Sequence, residues 1–365
     1  MHRLKALVVA AALALVLAAP AMASGGKGAV YTLTNAASGN EVAVFERAND
    51  GSLTAAGTVA TGGNGTGAGL GSQGAVVLDG NRLLAVNAGS NSLSLLHVDR
   101  RGDVTLADVE PSGGVGPISV TVHGKLVYVV NQGDATHAAN IHGFLALWGN
   151  LVPLPGSSRP LSTAAPGPAQ IEFSPNGRFL AVTEKATNMI VTYKVRHGYA
   201  GAPNAQPSAG VTPFGFAFDK RGRLVVSEAF GGAPDASVLS SYDLDGNGAI
   251  TPITANVATT ETAACWVVVT KNGRYTYTTN TGSNSISGFR IASDGGLTLL
   301  DADGKTANTG AGPLDLALAR NSKLLYSLNG GVPEIQGFAV NPDGSLDPLG
   351  SIGGLPAGAT GLAAR

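Results

Sequence analysis

The chain has 365 residues, of which 13% are charged and 5% aromatic, with 52 glycines and a net charge of −1. So few charges and so much glycine exclude a helical bundle and suit short strands joined by tight turns. A balance this close to neutral, with no basic run, also points away from nucleic acid and membrane surfaces as partners.

The opening "MHRLKALVVAAALALVLAAPAMAS" has a basic start at Arg3 and Lys5, an apolar stretch from Ala6 to Ala18, and a small-residue cleavage pattern at Ala21-Met22-Ala23. Residues 1–23 are expected to be a removed signal peptide, leaving 24–365 as one secreted or periplasmic domain, expected to be a monomer. Losing Arg3 and Lys5 moves the net charge from −1 to −3 (21 Lys+Arg against 24 Asp+Glu). Cys265 is the sole cysteine, so no disulfide forms within the chain and a large core must hold the fold.

From there the sequence repeats itself. Seven strands read "AVYTLTN", "RLLAVN", "KLVYVVN", "RFLAVTE", "RLVVSE", "RYTYTTN" and "KLLYSLN", ending at Asn35, Asn87, Asn131, Glu184, Glu228, Asn280 and Asn329. The intervals are 52, 44, 53, 44, 52 and 49 residues. A polar loop and a further strand follow each copy, usually with a "DGSL"-like turn and a short outer strand. An additional strand precedes six of the copies, and the missing seventh is "ATGLAAR" at 359–365. This predicts an all-β, seven-bladed propeller with four antiparallel strands per blade, closed by the C-terminal strand joining the first blade.

In such a ring the strand ends and the openings of the innermost strands share one rim. Glu184 and Glu228 stand at adjacent strand ends where the other copies have Asn. Two carboxylates in a partly dry funnel push one pKa upward, which suits a general base or an acid–base pair. The pair can instead hold Ca²⁺ in the channel, or serve structurally through a backbone bond or an ion pair such as one with Lys185. The innermost strands open in register at Gly74, Ser119, Gln170, Gly215, Trp266, Asp315 and Gly361. Gln170, Trp266 and Asp315 break the run of small residues and are candidate ligand contacts. Their structural alternative is a channel cap at Trp266 and a local backbone bond at Asp315. Asn131, Asn280 and His142 complete the candidate ligand set.

Other signals carry less. His123, His137 and His142 all fall in the third blade without the convergence a metal needs, so neither metal nor cofactor is expected. "DLDGNG" (243–248) imitates a calcium loop but has Thr254 at its twelfth position. "TGGNGTGAGLG" (61–71) precedes a strand, not a helix, and so is no phosphate cradle. Cys265 reads as a small buried hydrophobe.

The phrases "GPAQIEFSPNGRFLAVTEKATNMIVTYKV" and "KNGRYTYTTNTGSNSISGFRI" resemble the lactonase family of seven-bladed propellers, which contains 6-phosphogluconolactonases and 3-carboxymuconate lactonizing enzymes. The resemblance runs from about residue 28 to the C-terminus. "LGSQGAVV", "TPFGFAF" and "ACWVVVTKNGRYTYTTN" resemble a secreted bacterial, carboxymuconate cyclase-like branch. It implies a rim set of His, Arg and Glu. Here Glu184 matches the family Glu, Pro168-Ala169-Gln170 stands where the family has Pro-Arg-His, and Ile118 and Thr281 stand at the other His and Arg positions.

The expected function is therefore a lactonase-like propeller acting on a small lactone or carbonyl compound at the Glu184/Glu228 mouth. Glu184 would be the base on water, with Gln170 and Trp266 positioning the ring. The alternative is a non-catalytic extracellular binding propeller that works through the long loops after Asn131 and Glu228.

Overall fold

The protein, seen here in a computed structural model, is described for residues 28–365; the expected leader lies outside the described residues. Seven antiparallel sheets surround an axis, each built outward from an inner strand. Blade four shows the pattern, with Pro168–Phe173 innermost, then Phe179–Glu184, Met189–Arg196 and Tyr199–Pro207 outermost. Pro168 pairs with Glu184, so inner-strand openings and second-strand ends share one face, called upper here. The turns from first to second strand and from third to fourth lie on the lower face.

Blade one joins both ends of the described chain. Thr360–Ala364 is its inner strand and pairs with Gly28–Leu33, placing Val30 opposite Ala364 and Thr32 opposite Leu362. The Thr32 hydroxyl adds a bond to the Gly361 carbonyl at 2.7 Å. The ring is closed as expected, with no inner strand left unpaired among the described residues. Blades three and six depart from four plain strands, because their outer strands are split in two. In blade three the pieces are Asn150–Pro153 and Arg159–Pro160. Pro153, lacking an N–H, ends the first of them.

The recurring tyrosine shows why the phrase returns. Tyr128, Tyr277 and Tyr326 each lie three residues before a strand-ending Asn, in blades three, six and seven. Their hydroxyls donate to Gly198, Gly344 and Gly51, each a carbonyl in the lower turn of the next blade. Those glycines sit at φ of +87°, +97° and +92°, a backbone region other residues adopt only with strain. Ring and turn thus latch neighbouring blades while the tyrosine body fills the space between sheets. Tyr31, in the first blade, is equally buried, but its hydroxyl has no partner.

No helix among the described residues is long and apolar enough to cross a membrane.

Candidate functional site

The strand-ending glutamates do not face an open mouth. Glu184 is fully buried, accepting from the Ser162 N–H at 2.9 Å, the Ser162 hydroxyl, and Thr187 Oγ1 at 2.6 Å. Glu228 is equally enclosed, taking the hydroxyls of Ser208 and Tyr242 at 2.9 Å and of Ser240 at 3.1 Å. The two share no partner. Each bonds the connector leading into its own blade, and burial pushes the Glu228 carboxyl up to about 7. Lys185 does not pair with Glu184. Its ammonium donates to the Gly71 carbonyl at 2.7 Å over the Phe214 ring, and burial lowers its pKa.

The asparagine copies work similarly. Asn131 donates to the Ser112 carbonyl and to Asn140, and Asn280 donates to the hydroxyls of Ser285 and Ser287. Both are fully buried, and the side-chain carbonyl of each has no partner. His142 lies on the third strand of blade three, bonded to the Ser158 hydroxyl at 2.7 Å and packed on Phe144. It is away from the axis. His137 pairs with Asp134 in the upper loop, and His123 leans on Phe173 at the lower end, so the three histidines do not converge.

Gln170, Trp266 and Asp315 do sit on the axis, and each braces the ring. The Gln170 amide accepts the Phe216 N–H at 2.7 Å and donates to the Phe216 carbonyl at 2.9 Å, in the next inner strand. Asp315 takes the N–H of Leu316 at 2.8 Å and of Leu362 at 3.1 Å, tying blade seven to blade one. Burial pushes its pKa up to about 8. Trp266 packs on Phe214, and its indole N–H donates to the Ser72 carbonyl at 2.9 Å.

That last bond identifies the lid. The glycine-rich stretch after residue 61 carries Ser72 and Gln73 across the upper end of the channel. The Gln73 N–H donates to the Ala169 carbonyl of blade four at 3.0 Å. The Gln73 amide clasps Val267 of blade six through both its N–H (2.9 Å) and its carbonyl (2.7 Å). Gly215 has to be glycine beneath this lid, since a Cβ there would run into Gln73 Oε1 and the Cys265 carbonyl. Gly215→Ala is expected to cost about 2 kcal/mol or more, as overpacking of a close-packed site does, read as a lower urea midpoint at unchanged slope. Cys265 is buried under the same lid, and burial drives its thiol up to about 12, away from the reactive thiolate.

Below the lid the channel is hollow. A cavity of about 490 Å³ is lined by inner-strand residues of all seven blades, mostly Val, Leu, Ala and Phe. Its wall residues Val77, Ala217, Val268 and Leu318 are partly exposed, so it opens downward, opposite to the expected mouth. Three acids line this hollow: Asp315 is buried, Asp79 is partly exposed but paired with Arg82, and Glu172 is partly exposed with no cation paired to it among the described residues. It accepts a bond from Gln170 Nε2 at 3.1 Å, and burial pushes it up to about 8. Around the lower mouth, the turns 79–82, 123–126, 173–179, 218–224, 269–275 and 318–324 hold ten Lys or Arg against two acids, Asp79 and Asp219. Both acids are paired with an arginine of their own turn. Among the described residues no group of three or more His, Cys, Asp or Glu is placed to hold a metal.

Gln73 and Glu172 were not among the expected site residues. Glu172 had a readable signal. Two positions after the inner-strand openings the seven blades read Val76, Thr121, Glu172, Ala217, Val268, Ala317 and Ala363, a set with one charge. Gln73 had none, since its reach across the ring is invisible in a linear chain.

The sequence profile described as "Lactonase, 7-bladed beta-propeller" matches residues 27–144, 154–257 and 237–358. Among solved structures, a Bacteroides uniformis protein provisionally assigned as a 6-phosphogluconolactonase superposes with a TM-score of 0.72 at 18% identity, over 92% of this chain and 99% of its own. A periplasmic gluconolactonase of Pseudomonas aeruginosa gives 0.69 at 15% identity, over 93% and 98%. A protein of Lactobacillus plantarum gives 0.68 at 19%, over 93% and 99%. At these identities the likeness shows the fold. No curated protein matches the sequence.

Proposed function

We propose, from the premise that this chain belongs to the lactonase family of seven-bladed β-propellers, that it is an exported monomeric propeller that binds a small molecule in its axial channel, entered from the lower face. The observation that carries this reading is the one-sided hollow, sealed above by Gln73 and Trp266 and open below. The wall presents polar and apolar surface in similar measure, Gln170, Glu172 and Thr121 among Val, Leu and Phe, which favours a ligand with both kinds of group. Glu172, largely protonated at neutral pH, can donate to a carbonyl or lactone oxygen. The ligand expected is therefore a neutral molecule carrying such an acceptor. The enclosure of Glu184 and Glu228 supports a structural role for both.

A second reading, lactone hydrolysis, is favoured by one feature. A carboxyl raised to about 8 is poised for proton transfer near neutral pH. In that reading Glu172, not Glu184, handles the proton of the attacking water.

Both readings are tested with a panel of γ- and δ-lactones, by ligand-observed NMR for binding and by base uptake for turnover. Binding is expected at pH 7 and at least tenfold weaker at pH 9.5, where Glu172 is ionised. Glu172→Gln should bind equally at both pH values, and Val268→Trp, which fills the bore, should not bind. Undiminished binding by Val268→Trp would move the site out of the channel. Turnover that survives Glu172→Gln but not Glu184→Gln would return the strand-end carboxylate to the mechanism.

A further inference from the structure

The lower face has an uneven surface that the channel does not explain. In blades three and four, the lower turns 123–126, 147–150, 173–179 and 196–199 contain no acidic residue. Lys125, Arg178 and Arg196 are exposed there, and among the described residues no ion pair joins any of them. At the two outer tips stand aromatics. Trp148 is 93% exposed and Tyr199 38%.

Trp148 breaks a local rule. It opens a two-residue hairpin turn, Trp148-Gly149, with φ of +49° and +86°. Such a turn favours Asn, Asp or Gly at its first position, and a bulky residue there is strained. Among the described residues its ring packs on no other ring, and it lines neither the axial channel nor the cleft formed by residues 270–275 and 321–342. The Asn150 amide supports the turn by bonding the Trp148 carbonyl at 3.3 Å, but the exposed ring itself contributes no packing to offset the misfit, which is how a residue placed for an outside contact looks.

Exposed Trp and Tyr at neighbouring tips, with unpaired cations beside them, have the composition of a surface that settles into a bilayer interface. The aromatic rings sit at headgroup level while Lys and Arg meet the anionic lipid. The cations are spread over separate rigid turns rather than gathered in a cleft, so they match an extended anionic plane better than a threaded polymer. We propose that the lower face of blades three and four docks the protein on an anionic lipid bilayer, with Trp148 and Tyr199 entering the headgroup layer. The overall charge hides this, because acids elsewhere on the chain cancel these cations. The docking stands apart from the channel reading and needs neither Glu172 nor a bound ligand.

The chain's two tryptophans make the test direct, since Trp266 is buried and Trp148 exposed. The mature chain, residues 24–365, is mixed with vesicles of phosphatidylcholine alone or with phosphatidylglycerol added, and tryptophan emission and co-sedimentation are recorded. Only the anionic vesicles should move the emission to shorter wavelength, and salt at about 0.5 M, where screening reaches only a few ångströms, should reverse the shift. Lys125→Glu/Arg178→Glu should partition at least tenfold less, and Trp148→Phe should lose the shift, with unchanged far-ultraviolet dichroism in both. The proposal is overturned by no shift on anionic vesicles, or by an equal shift on neutral ones. Sedimentation without an emission change would assign binding to another part of the chain and overturn it as well. So would an equal shift with soluble polygalacturonate, which would make the partner a free polyanion.

Discussion

Raising the pH from 5 to 8 is expected to destabilise this protein by several kcal/mol, even though many proteins are most stable within that window. Three carboxyls are raised by burial, Glu228 to about 7 and Glu172 and Asp315 to about 8. Between the unfolded pKa near 4 and these values the folded chain binds more protons than the unfolded one, so stability falls as pH rises. Below about pH 4 both states are protonated and the term is fully present, and above about 8 it is gone. At 1.36 kcal/mol per unit, Glu228 alone accounts for about 3 kcal/mol, and Asp315 for a comparable or larger share. Glu172 is only partly buried, so solvent screening reduces its share. Turn aspartates such as Asp134 and Asp50 act oppositely, because hydrogen bonds from their own turns lower their pKa. Their contribution is lost as pH falls below about 4, which places the optimum at about pH 4 to 5. Urea midpoints at pH 5, 6.5 and 8 measure this, and Glu228→Gln and Asp315→Asn should each flatten the profile. A midpoint that holds steady or rises toward pH 8 would show that burial of these three carboxyls does not govern the pH dependence.

Deleting residues 359–365 is expected to remove cooperative folding. The lost strand supplies the inner edge of blade one, buries Leu362, and provides the N–H that holds Asp315. Without it, Thr32 loses its carbonyl partner, an inner edge is left unpaired, and a buried acid keeps one of its two bonds. Each orphaned buried polar group costs about 1–3 kcal/mol, and the lost apolar packing adds to that. The sum rivals the 5–15 kcal/mol that typically holds a domain together. The measurement is a thermal melt by near-ultraviolet dichroism. A sharp transition within a few degrees of the intact chain would show that the ring does not depend on its closing strand.

The fold was legible because a propeller writes its period into the chain. Turn glycines, alternating strands and the displaced seventh inner strand are local signals repeated in order. The site was less legible, for a geometric reason. Glu184 and Glu228 occupy the expected position, but a strand-end side chain can turn toward the axis or into its own blade, and one torsion decides which. Here the hydroxyls of Ser162, Thr187, Ser208 and Tyr242 draw both inward. Those partners lie up to 22 residues away, Ser162 and Ser208 in connectors whose path the sequence does not show. The direction in which the channel opens was hidden in the same way. It follows from where Gln73 crosses, and its two clasped neighbours lie about 100 and 194 residues away.

That crossing segment has a mechanical consequence. A strut pinned to blade four at Ala169 and to blade six at Val267 works as a brace that holds the upper rim of the bore at a set width. The diameter of the bore is thereby set before any guest arrives. Discrimination among guests would then rest on a fixed gauge, with size and the placement of one acceptor as the criteria, and not on walls that mould themselves around what enters.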